Sequence, residues 1–214
     1  GESIVLRLFN KSAESMSIDM LGFSEGDYRA ICDSVKRPFG LILLTGPTGS
    51  GKTTTLHALL QTLPRTDLKI ITIEDPVEHV ISGVNQIQVN NEINLGFDTM
   101  LRRVLRQDPN VIMVGEIRDK ETAEIALRSA LTGHLILSTL HTNDSVSVIT
   151  RLSNMGVEPY LIAAVLKYSV AQRLVRKVCP SCSEEVPMPK KMQEACARYG
   201  IQGRSMKEAK GCPA

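Results

Sequence analysis

A glycine-rich stretch with fixed spacing is the feature that most limits how this chain can fold. It fits the pattern G-x-x-x-x-G-K-[ST] and consists of Gly46, Pro47, Thr48, Gly49, Ser50, Gly51, Lys52 and Thr53. Such glycines let backbone N–H groups turn inward around the β- and γ-phosphates of a nucleotide. We expect Lys52 to add a positive charge, Thr53 to offer a hydroxyl to Mg²⁺, and Thr54 to complete the binding segment. The alternative is a flexible glycine turn.

The residues on either side of this stretch favour the nucleotide site. Residues 41–45 form a continuous apolar run, which is typical of a parallel strand buried on both faces. After the glycines, leucines recur at helical spacing from Leu56 to Leu63, and Pro64 ends the pattern. A strand, a glycine loop and a helix in this order would direct the positive end of the helix dipole at the phosphates.

Composition and length set wider limits. The chain has 214 residues, of which 43% are hydrophobic, so it can bury one substantial core. Its formal net charge of +2 does not indicate a nucleic-acid partner. No apolar run approaches the length of a membrane span, and we expect a soluble, cytosolic chain. Five cysteines is an odd number, which favours reduced thiols with a metal role over a disulfide scaffold.

Strands and helices are expected to alternate beyond the glycine loop. The sequence predicts strands over residues 69–74, 84–89, 110–114 and 134–139, and helices over residues 24–35, 97–106 and 120–132. The strand at 84–89 alternates apolar and polar residues, so we expect it to pair in antiparallel fashion. The alternation predicts an α/β fold with a twisted, mostly parallel sheet.

Functional groups of such a sheet collect beyond the carboxyl ends of its strands. The candidates there are Glu74, Asp75 and Glu78 after one strand, Glu116 after another, and His141 after a third. Acids on strands next to the glycine loop could hold Mg²⁺ through water or orient the attacking water. The alternative is that they cap helices or pair with Arg118 and Lys120.

Glu116 departs from the commonest form of the second nucleotide motif. Gly115 stands where an aspartate often lies, so direct coordination of Mg²⁺ by an aspartate at that point is in doubt. We therefore expect Glu116 to act on the attacking water, or on the metal through its waters.

Five segments together resemble one family, the ATPases that drive type II secretion and type IV pilus assembly. They are similar to its Walker A motif, its Asp box, the approach to Walker B, Walker B itself and its His box. In this chain they are residues 46–53, 73–78, 105–109, 114–119 and 132–142. The resemblance implies a RecA-like motor domain with ATP and Mg²⁺, working in a homohexamer at the cytoplasmic face of the inner membrane beside platform and docking proteins.

The resemblance also implies roles for basic residues. Arg7 matches an arginine of the preceding domain that reaches the γ-phosphate, and Arg102 and Arg106 match two further arginines. Their spacing of four would place the last two on one helical face. His134 and His141 would sense the γ-phosphate or a neighbouring subunit. The alternatives are a solvated face or pairing with nearby acids for the arginines, and a core hydrogen bond for either histidine.

Cysteines near the end of the chain form a further candidate site. Cys179 and Cys182 are spaced as a metal knuckle, and Cys212 follows in a context where we expect a fourth cysteine beyond the chain. Assembly and secretion ATPases resemble this in carrying a four-cysteine zinc site, which retraction ATPases generally lack. We expect Zn²⁺ in the full-length protein, Cys196 as a helical core residue, and a weakly ordered surface extension after Cys182.

The expected organisation has three parts. Residues 1–22 would be the end of a preceding domain and a linker, residues 23–178 the RecA-like core, and residues 179–214 a truncated cysteine extension. The leading function is an ATP-driven motor for filament assembly. The alternative is a nucleic-acid motor of the helicase class or a nucleotide-dependent switch. Aromatics at 4%, with no Trp, speak against nucleic acid as a partner.

Overall fold

A computed structural model describes residue 4 and residues 17–212 of the chain. Arg7 therefore lies outside the described residues. The chain forms two compact units, which divide between Arg173 and Leu174. The three-part division expected from the sequence remains a prediction.

The first unit is built on a six-stranded sheet whose every strand pair is parallel. Its spatial order is β3-β2-β4-β5-β1-β6. In chain order the strands are β1 (Gly40–Thr45), β2 (Ile70–Glu74), β3 (Asn85–Gln88), β4 (Val111–Val114), β5 (Leu135–Leu140) and β6 (Leu166–Ala171). The α/β class and the parallel sheet expected from the sequence are confirmed.

The antiparallel pairing expected for β3 is wrong. Ile73 lies opposite Ile87 in a parallel register, and β3 forms one edge of the sheet. A hairpin needs a short, tight turn, whereas residues 75–84 form a longer loop that carries the chain back to the start of β2. The alternation of apolar and polar residues therefore reflects the half-exposed faces of an edge strand. It does not indicate whether that strand pairs in parallel or antiparallel fashion.

Helices cover both faces of this sheet. They are α1 (Glu25–Ser34), α2 (Lys52–Gln61), α3 (Phe97–Val104), α4 (Lys120–Leu131), α5 (Ser147–Asn154) and α6 (Pro159–Val165). Short 3-10 turns cover Ile18–Leu21, Asn91–Ile93 and Leu105–Gln107. The strand β6 and the helices α5 and α6 are not among the elements expected from the sequence. Among the described residues no helix is both long and apolar enough to cross a bilayer.

Alternate residues of each central strand supply two separate hydrophobic cores. Leu41 and Leu43 of β1 face the core formed with α3 to α6, whereas Ile42 and Leu44 face the core formed with α1 and α2. All four are fully buried. A strand that is buried on both faces needs apolar residues at every position, which explains the unbroken run before the glycine loop.

The second unit contains regular structure beyond Cys182, in place of the weakly ordered extension expected there. β7 (Ser183–Pro187) and β8 (Ser205–Ala209) pair in antiparallel fashion, and α7 (Lys190–Ala197) lies between them in sequence. Cys196 is in α7, as expected, but it is half-buried and not a fully buried core residue.

A cap hydrogen bond fixes the start of α4, and its loss gives the first testable prediction. The Asp119 carboxylate accepts a hydrogen bond of 2.7 Å from the Thr122 backbone N–H. Asp119→Ala should lower the free energy of unfolding by about 1 kcal/mol, because that N–H loses its partner.

Chemical denaturation would measure this change, and Glu121→Ala would serve as the control. Glu121 is exposed in the same helical turn and does not cap it. Its replacement should cost less than about 0.5 kcal/mol. Equal losses in both variants would contradict the capping role of Asp119.

Candidate nucleotide-binding site

The glycine loop follows β1 directly and is held in a conformation that requires glycine at Gly46. Its φ is +142°, and a Cβ atom there would lie 2.3 Å from the Gln172 carbonyl oxygen and 2.8 Å from Ser50 Oγ. The Gln172 N–H in turn donates a hydrogen bond of 2.8 Å to the Thr45 carbonyl. The end of β6 is therefore packed against the start of the loop, and any side chain at residue 46 would separate them.

Lys52 begins α2 and its ammonium group lies within the loop. The residue is 8% exposed, and Nζ donates hydrogen bonds of 3.0 Å to the carbonyl oxygens of Gly46 and Pro47. Burial lowers the pKa of Lys52, and the negative charge of Glu116 partly opposes that shift. Its positive charge thus has no carboxylate hydrogen-bonded to it among the described residues, and a phosphate could supply the missing counter-charge.

Hydroxyl groups complete the loop. The Ser50 hydroxyl is buried and has no hydrogen-bond partner among the described residues, whereas Thr53 and Thr54 are half-buried in the first turn of α2. Thr48 and Gly49 are exposed at the tip of the loop. A buried hydroxyl without a partner is costly, and a phosphate oxygen would satisfy it. The loop thus fits a nucleotide phosphate by its shape, its free donors and its charge.

Glu116 lies at the end of β4, on the same edge of the sheet. Its side chain is 18% exposed, it pairs with Arg118, and its Oε2 is 3.4 Å from His141 Nε2. Burial alone would raise the pKa of Glu116, but Arg118 and then His141 lower it by more than burial raises it. The net pKa is therefore below its usual value. The carboxylate is therefore ionised and reachable from solvent at neutral pH.

Gly115 has a packing reason to be small. A Cβ atom at this position would lie 3.2 Å from the Ile73 carbonyl oxygen on β2. The Gly115 N–H also donates a hydrogen bond of 2.8 Å to that oxygen. A side chain at residue 115 would therefore require β2 to shift by a few tenths of an ångström.

The acidic cluster after β2 divides into three environments. Glu74 is 2% exposed and hydrogen-bonded on both oxygens, so it does not face a substrate. Asp75 lies 3.7 Å from Arg118, which is the pairing considered as the alternative, and Glu78 is exposed. Of the three, Asp75 and Glu78 remain free to reach a ligand.

The strands that carry these acids are not the neighbours of β1. The sheet order places β5 and β6 beside β1, with β4 and β2 beyond β5. The sequence expectation that the acids lie on strands next to the loop is therefore wrong. Adjacent strands lie about 4.8 Å apart, so Glu116 must reach across β5 to act at the loop.

His141 and Thr142 extend β5 on this edge. The Thr142 N–H donates a hydrogen bond of 2.9 Å to Thr45 Oγ1, and Thr45 Oγ1 donates one of 2.8 Å to the Thr142 carbonyl. This pair ties the segment to the start of the glycine loop. His141 is half exposed beside Glu116, in reach of a ligand.

His134 lies at the opposite edge of the sheet. It precedes β5, and its carbonyl oxygen accepts a hydrogen bond of 3.1 Å from the first residue of β1, Gly40. Its Nδ1 lies 3.0 Å from the Ser129 carbonyl oxygen. It also lines a cavity of about 880 Å³ with Tyr28 and Leu63, away from the glycine loop. The structure therefore does not bring His134 to the phosphate site of its own chain.

Of the three candidate arginines, Arg102 and Arg106 lie among the described residues, and both are exposed. Arg102 is in the last turn of α3, but that helix ends at Val104 and Arg106 lies in the 3-10 turn that follows. The single helical face expected for the pair is therefore interrupted. Neither arginine contacts the glycine loop.

Two site residues were missed by sequence reasoning. Gln172 packs on Gly46, and its Oε1 accepts a hydrogen bond of 2.9 Å from Thr55 in α2. Arg173 donates a hydrogen bond of 2.5 Å to the Asn143 carbonyl oxygen. Both follow β6, a half-buried edge strand with no long apolar run. The alternation of residues 166–170 is the signal that could have revealed them.

The cysteine cluster belongs to the second unit. The sulfur atoms of Cys179, Cys182 and Cys212 all lie within 4.8 Å of one another, and Sγ of Cys179 is 3.7 Å from Sγ of Cys212. Backbone N–H groups of Ser181 and Cys182, and then the neighbouring thiols, lower the pKa of Cys179 to about 7. Such a thiol is readily present as the thiolate that metals bind.

Comparison with known proteins decides the family. A family model described as type II/IV secretion system protein matches residues 1–214. The chain belongs to this family.

Named relatives include a type II secretion protein and a pilus assembly ATPase. The chain is 49% identical over 216 residues to "Type II secretion system protein E" of Pseudomonas aeruginosa, covering 99% of this chain and 42% of that protein. It is 51% identical over 184 residues to "Type IV pilus assembly ATPase PilB" of Myxococcus xanthus, covering 86% of this chain and 32% of that protein. The chain thus spans less than half the length of these relatives.

A solved structure supports the family fold. The pilus retraction motor PilT with bound ADP matches with a TM-score of 0.72 and 38% identity, covering 81% of this chain and 52% of PilT. The RecA-like P-loop fold expected from the sequence is confirmed.

The packing at Gly46 yields the second prediction. Gly46→Ala should weaken nucleotide affinity at least tenfold, because its methyl group would push β6 and Ser50 away from the loop. Titration with a fluorescent nucleotide would measure the affinity.

Gly22→Ala is the matched control. Gly22 also has positive φ, +77°, but a Cβ atom there meets no atom within 4 Å. Gly22→Ala should therefore introduce backbone strain without a steric clash, and it should leave nucleotide affinity unchanged. If both variants bound nucleotide like the wild type, the close approach at Gly46 would not control the site.

Proposed function

We propose that this chain is the nucleotide-binding part of a motor that hydrolyses ATP to drive type IV pilus assembly or type II secretion. The observation that carries the proposal is the convergence of the glycine loop, Lys52, Glu116 and His141 at one edge of a parallel sheet. Membership of the secretion family and relatives named as a secretion protein and a pilus assembly ATPase support it.

The residues of the loop have separate tasks in this proposal. Lys52 would exchange the carbonyl oxygens of Gly46 and Pro47 for phosphate oxygens, and Ser50 would donate its free hydroxyl. Thr53 would hold Mg²⁺ by its hydroxyl. Bound Mg²⁺ neutralises the charge that develops on the phosphates during transfer.

Glu116 would orient the attacking water. Its carboxylate is ionised and partly exposed, and its Oε2 lies 3.4 Å from His141 Nε2. His141 would contact the γ-phosphate from this position. Glu74 has no free oxygen for this task. Asp75 and Glu78 would act on Mg²⁺ through its waters.

The whole machine extends beyond this chain. We propose that the protein works as a homohexamer on the cytoplasmic side of the inner membrane, bound to platform and docking proteins and not to nucleic acid. Arg7, Arg102, Arg106 and His134 would then act at the phosphates of a neighbouring subunit. The exposure of Arg102 and Arg106, and the distance of His134 from its own loop, support a role between subunits.

Two substitutions test the hydrolysis mechanism. Lys52→Ala should abolish tight nucleotide binding, whereas Glu116→Gln should keep binding and lower the rate of ATP hydrolysis by at least about 100-fold. Steady-state hydrolysis with Mg²⁺, in the presence and absence of DNA, together with nucleotide titration would measure both effects.

Asp67→Asn is the control for the loss of one carboxylate, since Asp67 is exposed in a turn before β2. It should hydrolyse ATP like the wild type. Turnover retained by Glu116→Gln would remove Glu116 from the mechanism. Strong stimulation by DNA would favour a nucleic-acid motor.

The cysteine cluster would hold Zn²⁺. In a tetrahedral site with Zn–S bonds of about 2.3 Å, sulfur atoms lie about 3.8 Å apart, and Cys179 and Cys212 are at 3.7 Å. The three thiols supply three of the four ligands, and the fourth would be another cysteine or a water. The metal would then hold together the residues that precede β7 and the residue that follows β8.

Metal content tests this site. Cys182→Ser should lower bound zinc several-fold, because a serine hydroxyl is a much weaker ligand than a thiolate. Cobalt substitution, read by its thiolate charge-transfer absorption, and elemental analysis would measure the loss. Cys32→Ser, outside the cluster, should keep the metal. Full zinc occupancy in Cys182→Ser would contradict the site.

A further inference from the structure

A buried carboxylate at the end of β2 has both oxygens hydrogen-bonded to protein groups. Glu74 Oε1 accepts hydrogen bonds from Thr72 Oγ1 at 2.6 Å and from Gln86 Nε2 at 2.9 Å, and its Oε2 lies 2.9 Å from His57 Nε2. Burial by itself would raise the pKa of Glu74, but His57, then Gln86 and Thr72, hold the net pKa below its usual range. Glu74 is therefore an ionised centre for three other side chains.

His57 connects this centre to the phosphate site. It lies in α2, four residues after Thr53, so both side chains project from one side of the helix a turn apart. His57 is 6% exposed, and an ionised carboxylate can only accept, so Nε2 must donate the hydrogen bond to Glu74. The helix that begins at the glycine loop is thus fixed to the end of β2.

Gln86 connects the same centre to the acidic loop, residues 75–81. Besides contacting Glu74, its Nε2 donates a hydrogen bond of 2.9 Å to the His79 carbonyl oxygen. Its Oε1 accepts one of 2.6 Å from the Ile81 N–H. The loop that carries Asp75 and Glu78 is therefore held at two backbone groups by the side chain that contacts Glu74.

We propose that His57 is a positioning residue for ATP hydrolysis, which through Glu74 and Gln86 fixes the acidic loop relative to the first turn of α2. This inference rests on the proposed ATPase function. Helix α2 and these contacts together link Thr53, the expected Mg²⁺ ligand, to the loop that carries Asp75 and Glu78. A small displacement of reacting groups costs turnover much more than it costs binding of the ground state.

Removal of the His57 donor has a definite physical effect. The carboxylate of Glu74 would keep Thr72 and Gln86 but lose the partner that ties it to α2, while remaining buried. The acidic loop would no longer have a fixed distance to the glycine loop. The glycine loop itself would be intact, since Lys52, Gly46 and Gln172 do not contact His57.

The experiment compares His57→Leu with His57→Gln in the intact protein. Leucine removes the donor, whereas the glutamine amide can donate from nearly the position of Nε2. We expect kcat for ATP hydrolysis to fall between about 10-fold and 100-fold in His57→Leu, with KM and nucleotide affinity within about twofold. His57→Gln should restore most of kcat.

Two further variants separate positioning from stability. Leu63→Ala removes a buried side chain just after α2 without touching the network, so it should lower the melting temperature and keep kcat. Gln86→Leu alters only a half-buried position on edge strand β3, and it should lower kcat as His57→Leu does, even where His57→Leu does not fold.

The outcomes distinguish this inference from the function on which it rests. Absence of hydrolysis by the wild type would overturn both. Wild-type kcat in His57→Leu or Gln86→Leu, beside an active wild type, would overturn only the positioning role. A fall in kcat that Leu63→Ala reproduces at equal loss of melting temperature, or that His57→Gln does not reverse, would also overturn it.

Discussion

The common direction of the six strands is the constraint on which the site depends. Because all strand pairs are parallel, the segments after β1, β2, β4, β5 and β6 reach the same edge of the sheet. Glu116, His141 and Gln172 thereby lie at the same edge as the glycine loop although they are distant in sequence. The same constraint sends His134, which precedes β5, to the other edge. Whether a histidine reaches the site therefore depends on its position before or after a strand, more than on its residue type.

The two buried or half-buried glutamates show how environment assigns a role. Both Glu74 and Glu116 have lowered pKa values, so neither charge nor ionisation separates them. Exposure does, because the Glu116 side chain is 18% exposed and that of Glu74 is 3% exposed. Glu74, buried and hydrogen-bonded on both oxygens, can hold its neighbours, whereas Glu116 can also be reached by a water.

Local patterns were sufficient for the central elements of the fold. The strand β1, the glycine loop and α2 are contiguous, and their signals are an unbroken apolar run, fixed glycine spacing and helical leucines. The helix α4 was also predicted, since its apolar residues recur within one short segment. In each case, neighbouring residues carry the information.

Features that depend on distant partners could not be predicted in this way. The partners of Glu74 are 17, 12 and 2 residues away, and only the fold brings the first two to it. Strand order, which separates β4 and β2 from β1, has no local signature. The edge strands β3 and β6 lack an unbroken apolar run because one side of each is half exposed, so the direction of β3 and the existence of β6 were misjudged or missed.

Two buried polar groups of the glycine loop favour the binding of an anion. Lys52 is desolvated and bonded only to carbonyl oxygens, and the buried Ser50 hydroxyl has no partner among the described residues. An unsatisfied buried polar group destabilises a protein by about 1–3 kcal/mol. A phosphate that hydrogen-bonds to both Lys52 and Ser50 would remove this destabilisation. The α2 helix that would respond to this ligand is also the helix that holds Glu74 through His57. The phosphate site and the acidic loop are therefore linked through one helix and the side chains that contact Glu74.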